Sequence, residues 1–170
     1  MEKINVVKDK VHEEMARDII KKWAKENKFS GFRFKGFGST YLPFYFCAST
    51  CTIKRAFRLP PRVIPQKWLL DATRGKIYRV GEDVWGEEQL MDNSHVLAYR
   101  FSSQGAQDRV HKEALKHAVR FYKFAWTPEI TVDNATPLYI RFWLIRWEDG
   151  GGKEFYQGVN AYSGDVQKIH

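Results

Sequence analysis

Apolar side chains recur along this chain in two alternating rhythms. Near the start, Val11, Met15, Ile19 or Ile20, and Trp23 fall at helical spacing, with Ala16 and Ala24 on the same side. Lys21, Lys22, Lys25 and Lys28 lie mostly on the other side. The pattern predicts an amphipathic helix over residues 9–27. Asp9 is its expected N-cap, because a carboxylate there can accept from the free N–H groups of the first turn. The rhythm then shortens to the two-residue period of strands over 32–37, 41–53, 67–71 and 76–80. Gly36, Gly38 and Gly75 mark turns or bulges, and Pro60-Pro61 marks a loop.

At 81–95 the rhythm lapses. Glu82, Asp83, Glu87, Glu88 and Asp92 make this stretch acidic, and it reads as a linker with one short helical turn, followed by a connecting strand at 96–101. The helical rhythm then returns in Val110, Ala114, Leu115, Ala118, Phe121, Tyr122 and Ala125, with strands after it at 129–132, 138–147, 154–160 and 165–169.

The second pass keeps register with the first. An offset of 98 pairs Tyr139 with Tyr41, Phe142 with Phe44, Trp143 with Tyr45, Phe121 with Trp23 and Ala114 with Ala16. After the long strand the offset is 89, which pairs Asp71-Ala72-Thr73-Arg74-Gly75-Lys76-Ile77 with Asn160-Ala161-Tyr162-Ser163-Gly164-Asp165-Val166. The first copy therefore carries a nine-residue insertion in its central hairpin, between Ala48 and Gln66. The expected class is α+β: two helix-plus-antiparallel-sheet copies at 1–80 and 106–170, joined by an acidic linker and connecting strand at 81–105. Two copies are too few for a solenoid.

Trp143-Leu144-Ile145-Arg146-Trp147, then Asp149-Gly150, then 159–166 (Val-Asn-Ala-Tyr-Ser-Gly-Asp-Val) resemble the PepSY domain family. That family's signature is an aromatic strand, a turn, and a strand ending in Asp/Asn-Ala-x-Thr/Ser-Gly-Glu/Asp-Val. The resemblance covers residues 106–170 and is weaker in the first copy, where Arg74 and Lys76 replace the small polar and acidic residues. The motif has a physical reading. Asn or Asp and Ser or Thr bond to local backbone, and Gly supplies the positive φ that closes the turn. The resemblance implies cystatin-like units, a helix packed across a curled sheet, in a non-catalytic protein that restrains peptidases or binds other proteins. Such proteins are usually secreted or envelope-associated.

Composition adds charge and aromatic surface. Lys and Arg number 28 against 20 Asp and Glu, a net +8, and aromatics make up 15% of the 170 residues. Such a charge can attract nucleic acid, anionic lipid or an acidic protein without choosing among them. Cys47 and Cys51 lie four apart in a strand-like segment. Four extended residues span roughly 13 Å, too far for a disulfide, so free thiols and a reducing, cytoplasmic compartment are expected. The N-terminal stretch has no apolar core of signal-peptide length, although a chain trimmed of a leader would look the same and would be extracellular or envelope-associated. No apolar run approaches the ~20 residues of a membrane span.

Catalytic and metal motifs are missing. His12, His95, His111, His117 and His170 are scattered, with no HExxH, GxSxG or Walker loop. Glu113 and His117, four apart, read as a surface pair. Gly150-Gly151-Gly152 stands between strands and reads as a flexible hairpin tip. Cys51 near Lys54 and Arg55 reads as a small buried hydrophobe. No enzyme, cofactor or metal is expected.

Two surfaces stand out. The insertion places Lys54, Arg55, Arg58 and Arg62 beside Pro60, Pro61 and Pro65, a stiffened basic tip suited to an acidic partner unless the acidic linker neutralises it. The second is aromatic. If Ile140, Phe142 and Leu144, and Leu42, Phe44 and Phe46, face the helices, then Tyr41, Tyr45, Tyr139, Trp143 and Trp147 face away. Such a face must be covered by the other copy, the linker or a second chain, or else form an open groove. The function read from these features is a non-enzymatic protein-binding or regulatory module. The alternative is a basic nucleic-acid-binding module on Phe32, Phe34 and Phe37, which alternate with Arg33 and Lys35.

Overall fold

A computed structural model describes residues 1–124 and 126–169. Ala125, counted in the second helical pattern, and His170 lie outside the described residues. The elements in chain order are β1 (Glu2–Val7), α1 (Glu13–Glu26), β2 (Arg33–Ile53), β3 (Arg62–Asp71), β4 (Ile77–Val80), β5 (Gly86–Met91), a 3-10 turn (Asn93–His95), α2 (Ser103–Phe121), β6 (Glu129–Val132), β7 (Thr136–Glu148), β8 (Glu154–Asn160) and β9 (Val166–Lys168). The class is α+β, with helices packed on mixed sheet.

The chain divides into two compact units that do not follow sequence order. The unit containing α1 consists of residues 1–42, 86–97 and 139–170. The unit containing α2 consists of 43–85 and 98–138. β2 and β7 each run through both units, so α1 is grouped with β8 and β9 from the far end of the chain, and α2 with β3 and β4 from before it.

In the α1 unit, Val11, Ala16, Ile20 and Ala24 pack against Trp143, Ile145, Trp147, Val159 and Ala161. β7 pairs antiparallel with β8, Phe142 opposite Asn160 through Glu148 opposite Glu154, and β8 pairs with β9. β1 lies parallel to β7 at Val6 and Tyr139, and pairs antiparallel with β5 along its whole length. In the α2 unit, Ala106, Val110, Ala114 and Ala118 pack on Tyr45, Cys47, Cys51, Ile53, Trp68 and Leu70. There β2 lies between β3 and β6, and β3 continues to β4. The buried alanines on each helix let backbone approach sheet closely, leaving the bulk to the aromatic and branched side chains of the strands.

Several expectations are corrected. Asp9 does not cap α1. His12 is the N-cap and makes no side-chain cap bond. The N–H groups of Lys10 and Val11 both donate to the Ala161 carbonyl, which pins the chain before the helix can begin. Asp9 instead lies 3.4 Å from Arg141. The short alternation of Ile4 and Val6 is the missed strand β1, and residues 86–91 of the acidic linker are its partner β5, with Lys3 and Glu88 paired at 3.2 Å. The connecting strand at 96–101 is absent. Only Val96 forms a bridge, parallel to Tyr41. Gly36 and Gly38 sit inside a continuous β2, whereas Gly75 and Gly164 do take positive φ, 76° and 80°. The glycine-rich 149–153 turn is tied down. Asp149 Oδ1 accepts from the N–H groups of Gly151 and Lys153, and Gly150 N–H donates to the Ser30 carbonyl.

Candidate partner-binding site

The charge of the chain is concentrated in one unit. Residues 43–85 and 98–138 hold 14 Lys and Arg against 7 Asp and Glu, a net +7, while the α1 unit holds 14 against 13, a net +1. The basic hairpin belongs to the charged unit.

The β2–β3 hairpin is nine residues longer than the β7–β8 hairpin, and the excess divides cleanly. The β2–β3 ladder has ten pairs against seven in β7–β8, which accounts for six residues, and the loop of eight residues (54–61) against five (149–153) accounts for three. The longer ladder carries the tip outward. Lys54, Arg55, Arg58 and Arg62 are all exposed, as the sequence implies. Arg55 Nε donates to the Pro60 carbonyl at 2.7 Å, which fastens one side of the loop to the other. Phe57 and Arg58, neither a glycine, hold φ of 59° and 57°. Two successive left-handed residues cost free energy, and the result is a Phe57 ring 95% exposed between basic neighbours. The Arg62 guanidinium lies 4.9 Å from the centroid of Tyr122.

Two acidic side chains of the linker are paired elsewhere. Asp83 pairs with Lys67 and Glu88 with Lys3, and Glu87 stands opposite Val6 in the β1–β5 ladder. Among the described residues none of the four hairpin cations makes an ion pair.

The aromatic surface is corrected, because Trp143, Trp147 and Tyr45 face the helices and Tyr41 and Tyr139 pack on the β1 cluster. Trp147 is fully buried and donates from Nε1 to Gln157 Oε1 at 2.7 Å; Trp143 is buried and donates to the Val11 carbonyl at 2.7 Å. Tyr45 is buried under α2 and donates to the Phe101 carbonyl. Tyr41 is buried with Ile4 and Val6, its hydroxyl accepting from Arg141, and Tyr139 packs half-buried on the same cluster. These residues form no open groove and leave no free aromatic face for a second chain. The parity was unreadable because both faces of β7 are apolar: Ile140 and Phe142 on the other side are also buried.

Phe32, Phe34 and Phe37 are occupied too. Phe32 lies 5.1 Å from Trp147, Phe37 stacks on Trp143 at 5.3 Å, and the Arg17 guanidinium sits 4.2 Å from Phe34. Arg33 and Lys35 both approach Glu148. A base stack on this strand would have to displace core packing.

The thiols are free and buried, as expected. Burial pushes Cys47 up to about 11, which keeps it protonated and unreactive. Among the described residues no cluster of three His, Cys, Asp or Glu side chains is placed to hold a metal ion. Among them also, no helix is long and apolar enough to cross a membrane.

One group that sequence reasoning missed sits below the hairpin. His117 of α2 lies between Gln66 of β3 and Arg79 of β4: Nδ1 is 2.9 Å from the Gln66 amide, and Nε2 contacts Arg79. Burial lowers the His117 pKa first, and the Arg79 charge lowers it further against an opposing contribution from Glu113, so the ring is held neutral. Nothing in the spacing of residues 66, 79 and 117 could have brought them together. No protein-family model, curated protein or solved structure matches this chain.

Proposed function

We propose that this chain is a non-enzymatic binding module that takes an acidic protein partner on the β2–β3 hairpin. The carrying observation is that four cations and an exposed phenylalanine are held outward on a braced loop, with no carboxylate among the described residues paired to them. Ordering the loop beforehand lowers the entropy cost of binding, and unpaired cations attract and orient an acidic surface. Kinship with the peptidase-restraining PepSY domains is part of the proposal. It rests on the motif Asn160-Ala161-Tyr162-Ser163-Gly164-Asp165-Val166 and the aromatic strand before it.

The test replaces Lys54, Arg55, Arg58 and Arg62 together with Ser. Circular dichroism should be unchanged, and binding of a labelled hexaglutamate peptide by fluorescence anisotropy should be lost. Unchanged binding refutes the role of the hairpin. A parallel titration with duplex DNA against salt separates the other class, because phosphate contacts give a steep linear fall of log affinity with log salt.

A further inference from the structure

The groove at the foot of the hairpin has a volume of about 380 Å³, and its walls include Ile64, Gln66, Lys67, Arg79, Val80 and Tyr122. It opens where β4 stops. Val80 is the last β4 residue paired to β3, opposite Lys67, so residues 62–66 have β2 on one side and no β4 partner on the other. The groove is continuous with the hairpin through Arg62, whose guanidinium covers Tyr122 on the groove wall.

Its polar chemistry is one-sided. Arg79 can only donate, so the His117 Nε2 that it meets must be the accepting nitrogen, and the ring proton is on Nδ1. Nδ1–H then needs an acceptor from Gln66. With Nε2 of Gln66 turned toward it, as at 2.9 Å, two donors would face each other. A half-turn of the amide resolves this, since its oxygen and nitrogen exchange places. The Gln66 position that has no partner, on a residue only 8% exposed, is then an N–H₂ donor. Arg79, opposite Trp68 in the ladder, stands on the same face through its contact with His117, while Lys67 turns to the other face of β3 and pairs with Asp83 at 3.2 Å. The side chains that this groove turns to its interior, Arg79 and the Gln66 amide, are thus donors set in apolar walls.

We infer that this groove seats a carboxylate side chain of the acidic partner against Arg79, over the buried Gln66 amide, while the preceding stretch of that partner lies along residues 62–66 toward the basic tip. The inference rests on the acidic-partner reading above and names where one acidic side chain goes. A carboxylate fits because it accepts at both oxygens, carries the complementary charge, and brings an aliphatic stem for Ile64, Val80 and Tyr122.

Anisotropy with labelled hexaglutamate, on the full chain, tests it with two groove variants and the four-serine hairpin variant. Arg79→Gln removes the guanidinium. Gln66→Glu keeps the acceptor that His117 needs but sets a negative charge on the wall. Each should weaken binding about tenfold or more, the loss of one charge-assisted hydrogen bond, with circular dichroism unchanged. If Gln66→Glu does not fold, Arg79→Gln decides, together with the side-chain amide signal of Gln66, which should shift in nitrogen-15 NMR as hexaglutamate is added. Wild-type binding by Arg79→Gln with an unmoved amide signal, while the hairpin variant loses binding, overturns the groove and leaves the hairpin reading standing. Loss in the groove variants alone supports the groove and refutes the hairpin. Binding of a six-phosphate oligonucleotide but not of hexaglutamate overturns both.

Discussion

The turn from β3 to β4 and the turn from β8 to β9 close with the same backbone bonds. Gly75 N–H donates to the Asp71 carbonyl and Gly164 N–H to that of Asn160, each at 2.8 Å. Ala72 N–H donates to the Pro43 carbonyl and Ala161 N–H to that of Arg141, each at 2.9 Å. A side-chain oxygen organises both turns: Asp71 Oδ1 accepts from the N–H groups of Thr73 and Arg74, and Asn160 Oδ1 from those of Tyr162 and Ser163. One strand further on, the hairpins diverge. In the α2 unit Trp68 on the second strand donates to Ser49 on the first; in the α1 unit Trp147 on the first strand donates to Gln157 on the second. Ser49 and Trp147 are equivalent by the offset of 98, and Trp68 and Gln157 by that of 89. The large ring and its small polar partner have exchanged strands. The difference teaches that a buried diagonal needs one indole and one acceptor, and that either strand can supply either.

The largest expected effect tests the ring. Trp147→Ala should cost about 3–5 kcal/mol in urea denaturation, as large core truncations do, and Trp68→Ala should fall in the same range. A cost for Trp147→Ala well under about 1 kcal/mol would mean that the two diagonals are not equivalent supports. The acceptor comes next. Gln157→Leu and Ser49→Ala each strand a buried indole N–H, a loss of about 1–3 kcal/mol. Pairing Gln157→Leu with Trp147→Phe should recover part of that loss, because the unpaired donor goes too. A strictly additive double variant would show that the Trp147–Gln157 bond contributes nothing of its own. The smallest change carries one turn into the other. Asp71→Asn keeps the oxygen that the turn uses and removes an Oδ2 that is buried without a partner. Stability should move by less than about 1 kcal/mol. A loss above about 2 kcal/mol would show that the charge at Asp71 is required, and would separate it from the neutral Asn160.

The parts legible in the sequence were those set by neighbours along the chain. Helical spacing located α1 and α2 to within a few residues, and Asp/Asn followed by Gly located both turns. The 98 and 89 offsets sized the hairpin insertion and so found the basic tip. Other parts depended on distant partners. Ile4 and Val6 gave too short an alternation to be read as a strand without β5 beside it. The groove was silent because its polar residues come from two strands and a helix.

Local chemistry therefore determined by itself the two helices, the long strands, the paired turns, the free thiols and the four exposed cations, because periodicity, turn dihedrals and strand reach act over a few residues. Only the tertiary structure decided which helix each sheet half covers. Both faces of β7 are apolar, so burial alone could not choose between them. β2 and β7 are long enough to pass from one unit into the other, which groups Trp143 and Trp147 with α1 and Tyr45 and Cys47 with α2. It also decided that the surplus charge gathers in the α2 unit, because that unit groups the basic β2–β3 hairpin with α2.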